Sequence, residues 1–61
     1  MLELRYLQQD YEDLYFTTVE AGCDLFGAFH PEEKYAYEYV GLFKEKTDCQ
    51  LFIDAYNTRI S

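Results

Sequence analysis

Hydrophobic positions along the chain recur at two periods, and the predicted elements follow from where each period holds. From Leu2 to Leu14, residues Leu4, Leu7, Tyr11 and Leu14 repeat at spacings of three and four, one face of an amphipathic helix. On another side of that helix Glu3, Tyr6, Asp10 and Asp13 fall together, an acidic stripe interrupted by one Tyr. The pattern changes at Tyr15. Tyr15–Ala21 is rich in β-branched and aromatic residues and predicts a strand. Gly22-Cys23-Asp24 supplies turn chemistry, and Leu25–Phe29 (L-F-G-A-F) follows as a short apolar segment. Gly27 within it marks a bulge or a close backbone approach. Tyr15, Val19, Cys23 and Phe26 also keep helical spacing, so a helix is the competing reading of this region.

His30-Pro31-Glu32-Glu33 breaks the apolar pattern. Pro31 suits either the first position of a helix, with two Glu complementing its positive end, or a polar turn between strands. The aromatic stretch Lys34–Phe43 (K-Y-A-Y-E-Y-V-G-L-F) then decides the fold. As a helix it groups Ala36, Tyr39, Val40 and Phe43. As a strand it lines Tyr35, Tyr37, Tyr39 and Phe43 on one side. Most of its residues are strand formers, and Gly41 costs a helix interior about 1 kcal/mol relative to Ala, which favours the strand. In the last segment Thr47 and Gln50 match a capping box. Cys49, Phe52, Ile53, Tyr56 and Ile60 mark one helical face, Asp48 and Arg59 agree with the macrodipole, and Leu51 points away. The predicted fold is α+β: an N-terminal helix, a short two- or three-stranded antiparallel sheet with one face covered, and a C-terminal helix. The alternative is an all-α three-helix bundle with helices near 2–28, 31–45 and 48–60.

Length and composition sharpen this picture. The 61 residues predict a single small domain over 1–61. A chain of this size buries only about 60% of the surface it exposes unfolded. At 49% hydrophobic and 20% aromatic it is not a disordered composition. Seven Tyr and five Phe are more large rings than so thin a core encloses, so some are expected at the surface, where Tyr is a favoured contact residue. A net charge of −7 opposes direct binding to nucleic acid or anionic membrane and suits a partner with a basic surface. The plainer role of that charge is solubility.

Candidate chemistry changes little. No phosphate loop, nucleophile elbow or paired-cysteine motif is present, and no enzymatic activity or cofactor is expected. His30 near Glu32 and Glu33 reads as an exposed polar loop before it reads as an acid–base pair. Cys23, His30 and Cys49 are metal-ligand types without the close spacing that pre-organises a metal site, so none is expected. No basic region followed by an apolar run opens the chain and no run approaches a membrane span, so a cytoplasmic setting with reduced thiols is expected. The row Tyr35, Tyr37, Tyr39 resembles a base-stacking platform only in its rings, since its flanking charge includes Glu32, Glu33 and Glu38.

These features predict a non-enzymatic protein–protein interaction module. Its expected contact residues are Glu3, Tyr6, Asp10 and Asp13 in one patch and Glu32, Glu33, Tyr37 and Glu38 in another, with rings as anchors and carboxylates steering association. An ordinary solvated face is the bland reading of the acidic stripe. Small acidic phage inhibitors that mimic DNA share this overall character, a likeness of charge and not of motif. The sharpest expectation is therefore an inhibitor, of phage or mobile-element type, of a larger nucleic-acid-handling protein. The alternative is a structural or regulatory homodimer joined through surplus rings.

Overall fold

The computed structural model describes residues 1–8 and 22–60. Strand β1 spans Glu3–Leu7, β2 spans Leu25–Phe29, β3 spans Gly41–Phe43, and helix α1 spans Lys46–Ile60. The strands form one antiparallel sheet in the order β1-β2-β3. Glu3 pairs with Phe29 and Leu7 with Leu25, and Phe26 pairs with Phe43 across the other seam.

The N-terminal helix expected over Leu2–Leu14 is overturned, because Glu3–Leu7 is a strand. With it goes the all-α bundle. The physical reason lies in the sheet having two covered faces. Leu2 and Leu4 pack against α1, whereas Leu7 joins a cluster on the opposite face. Leu4 and Leu7 are thus three apart because both faces are buried, not because one helical stripe is. Asp10, Asp13 and the strand expected over Tyr15–Ala21 lie outside the described residues.

The helix-side cluster is Leu2, Ala28, Cys49 and Ile53, bordered by Leu4, Phe26, Phe43, Phe52 and Tyr56. The other is Leu7, Leu25, Phe29 and Ala36, bordered by Cys23 and Leu42. Strand β2 sends residues into both, which explains its unbroken apolar run. The expectation that only one face is covered is corrected accordingly. Gly27 is a close approach and not a bulge. Its pairing with Arg5 continues the one-to-one register, and a Cβ there would run into the Phe29 ring. Gly22 takes a φ of 69°, the left-handed turn conformation that glycine adopts without penalty.

The strand expected through the aromatic stretch survives only as Gly41–Phe43. Ahead of it the chain turns twice. Glu33 N–H donates to the His30 carbonyl at 3.0 Å around Pro31, the turn reading of that break. Glu38 N–H donates to the Tyr35 carbonyl at 3.0 Å, and the Glu38 carboxylate accepts from Lys34 N–H and Tyr35 N–H at 3.2 Å each. This side-chain bonding offers the backbone an alternative to the ladder, and strand propensity loses to it. Ala36 is tucked into the core.

Helix α1 presents Cys49, Phe52, Ile53 and Tyr56 to the sheet as its spacing predicts, and leaves Leu51 exposed. The capping box is not formed. Cys49 N–H already bonds the Glu45 carbonyl at 3.2 Å, so the helix starts before Thr47, and Gln50 instead donates to Asp54 at 2.9 Å. Near the other end, Asn57 reaches Leu2: Leu2 N–H donates to Asn57 Oδ1 at 2.7 Å, and Asn57 Nδ2 donates to the Leu2 carbonyl at 3.2 Å. The side-chain amide thereby stands where a neighbouring strand would.

Candidate protein-contact surface

The segment 30–40 crosses the sheet face opposite α1, and Arg5 fastens it there. Arg5 lies on that face of β1 with its guanidinium 4.5 Å from the centre of the Phe29 ring. Its Nη2 donates to the Glu33 carbonyl at 3.1 Å and to the His30 carbonyl at 3.5 Å, and to the Glu3 carboxylate at 3.1 Å. A planar cation that stacks and donates in several directions suits this junction, as a lysine would not. Beyond it, Tyr35 and Tyr37 stack with ring centres 5.3 Å apart and planes 5° from parallel. Each ring covers one face of the other, and Tyr35 is 48% exposed and Tyr37 57%. Tyr39 and Val40 continue the exposed run toward β3.

Two carboxyl groups hold this loop together. Glu38 is kept below the usual carboxylate range, chiefly by the Tyr35 N–H it accepts. Glu33 is pushed above that range, chiefly by its side-chain hydrogen bond to Glu38 and then by burial. The two shifts run in opposite senses, so a proton shared between these carboxyls resides on Glu33 rather than on Glu38. Glu32 is exposed beside them.

The second expected patch, Glu32, Glu33, Tyr37 and Glu38, is thus brought onto one loop, although Glu38 turns partly inward to the backbone. The first is divided. Glu3 lies on the loop side of β1 with Arg5, while Tyr6 lies on the opposite side, its ring 5.3 Å from Phe26 and its hydroxyl donating to Asp24. That bond pushes the Tyr6 phenol above its ordinary range. Arg5 and Tyr35 belong to the same face of the molecule and were not among the expected contact residues. Arg5 was legible only as a lone cation two residues from Glu3, and its stack on Phe29 depends on a strand pairing that the helix reading hid.

The remaining chemistry disperses. The His30 ring packs edge-on to Tyr56, centres 6.1 Å apart. Cys23 and Cys49 are free thiols belonging to clusters on opposite faces of the sheet, and burial pushes the Cys49 thiol up. Among the described residues, no three His, Cys, Asp or Glu side chains gather into a metal-holding set. Among them, too, no helix is long and apolar enough to cross a membrane. Comparison with protein-family models, with curated proteins and with solved structures finds no match.

Proposed function

We propose that this chain is a non-enzymatic interaction module that engages a larger protein with a basic surface through the loop 31–40. The observation that carries this reading is the stacked, half-exposed Tyr35–Tyr37 pair. Rings already held in one geometry lose little freedom on association, which is what makes tyrosine an effective anchor. Glu32, Glu33 and Glu38 on the same loop, within a net charge of −7, favour a cationic partner and steer it in. In its sharpest form the partner is a nucleic-acid-handling protein whose basic groove the chain occupies, in the manner of a small phage or mobile-element inhibitor. A reducing, cytoplasmic setting accompanies the reading, since both thiols are free.

The test is a pull-down from lysate of the cells that express the protein, with the parent and a Tyr35→Ala/Tyr37→Ala variant, repeated with competing DNA and with raised salt. A basic protein retained by the parent, lost by the variant and displaced by either treatment is expected. A partner that is neither basic nor displaced refutes the reading. Leu51, 62% exposed on the outer side of α1, favours a second reading as a homodimer. A dimer in light scattering that persists at raised salt and is lost in Leu51→Ser would support it, and a monomer throughout would remove it.

A further inference from the structure

Among the exposed features of the described residues, the tyrosine stack is the one whose chemistry chooses a ligand group. Two parallel rings cover each other's inner faces while each residue stays about half exposed, which leaves the outer π faces as the surface a ligand can meet. Those faces carry the negative side of the ring quadrupole and attract cations. The Glu38 carboxylate is bound to the backbone N–H of Tyr35 and is adjacent in sequence to Tyr37, so negative charge is fixed beside the stack. An anion is repelled there. A cation is favoured by ring and carboxylate together.

We infer that the group recognised by the Tyr35–Tyr37 stack is an arginine guanidinium of the partner polypeptide, laid flat on an outer ring face with its N–H groups directed to the carboxylates of the loop. This rests on the protein-binding reading above and narrows it to one side chain. Arginine is preferred to lysine because its guanidinium is planar, weakly hydrated and able to stack while donating sideways, whereas an ammonium is compact and holds its water. The chain already contains such an arrangement. Arg5 lies 4.5 Å over the Phe29 ring and donates to the carbonyls of His30 and Glu33 at the foot of the same loop.

The experiment is an NMR titration of the isotope-labelled full chain with two capped Gly/Ser peptides of equal length, one carrying arginine where the other carries lysine. The arginine peptide should bind roughly 2–5-fold more tightly, the factor expected of an exposed cation–π contact, and should shift the Tyr35 and Tyr37 ring resonances. Tyr37→Leu should abolish the preference and Tyr37→Phe should keep it, while Glu32→Gln weakens both peptides alike. Both positions are half exposed, so unchanged far-UV circular dichroism is the check that the variants fold. Equal affinity for the two peptides, or a preference that survives Tyr35→Leu and Tyr37→Leu, overturns the inference and leaves the broader reading to the pull-down. Failed capture with the preference intact rejects the partner reading alone.

Discussion

Replacing Arg5 with Ala should cost about 2 kcal/mol of folding stability, several times the cost of replacing the glutamate it pairs with. The guanidinium donates to the Glu33 carbonyl at 3.1 Å, a charged hydrogen bond worth roughly 1.5 kcal/mol once partial exposure places it low in the usual range. Its stack on Phe29 adds about 0.5–1 kcal/mol. The ion pair with Glu3 contributes least, because the two side chains are 29% and 49% exposed and pairs of that kind are screened. Glu3→Gln should therefore cost less than about 0.5 kcal/mol. Urea denaturation followed by far-UV circular dichroism reads both, and in thermal melts the Arg5→Ala loss corresponds to roughly 8–16 °C for a domain of this size. Arg5→Lys keeps the charge but neither the fork nor the stack, and should recover less than half of the loss. If Glu3→Gln costs as much as Arg5→Ala, the salt bridge is the operative contact and the fastening role assigned to Arg5 is wrong.

Three further outcomes follow from the geometry. Gly27→Ala should destabilise by about 2 kcal/mol or more, since the new methyl must displace the Phe29 ring within a filled core, and a midpoint in urea unchanged from the parent would show that the ring moves freely. Asn57→Ala should cost about 1–2 kcal/mol by stripping Leu2 of both backbone partners, with the loss appearing as faster hydrogen exchange at Leu2 N–H. The third is a pH dependence. Glu33 is raised, so its contribution is present at acid pH and lost as pH rises through its folded value; Glu38 is lowered, so its contribution is lost as pH falls through its folded value. The tyrosine near-UV signal of the loop should thus be greatest between those two values. Glu33→Gln, which donates at any pH, should abolish the decline on the alkaline side, and a profile identical to the parent would show that the two carboxyls do not share a proton.

What could be read in the sequence was whatever a local pattern decides. The face of α1 was legible from Cys49, Phe52, Ile53 and Tyr56, because little besides a helix buries a single stripe at that spacing. Leu25–Phe29 and Pro31 stand open in the sequence between strand or turn and helix, and the structure takes the strand and the turn. The N-terminal strand was not legible. Burial on both faces of the sheet placed Leu4 and Leu7 at a spacing that a helix also produces. The aromatic stretch failed for a different reason. Its residues favour a strand, but Glu38 captures the N–H groups of Lys34 and Tyr35, and a single side chain outweighs the propensity of its neighbours. The expected patch Glu32, Glu33, Tyr37 and Glu38 therefore lies on a loop with two turns and not on the strand expected for it. Arg5 escaped notice because its role depends on contacts far away in the chain.

The Asn57–Leu2 clasp has a consequence for how the molecule is made. The two residues are separated by 55 positions, so the backbone groups of Leu2 are satisfied only once α1 has packed against β1. Until then that end of β1 bonds to water, and the first strand cannot finish ahead of the final helix. A helix end that would ordinarily fray on its own is tied to the edge strand of the sheet. Shortening α1 by its last turn should consequently loosen β1 as well as α1.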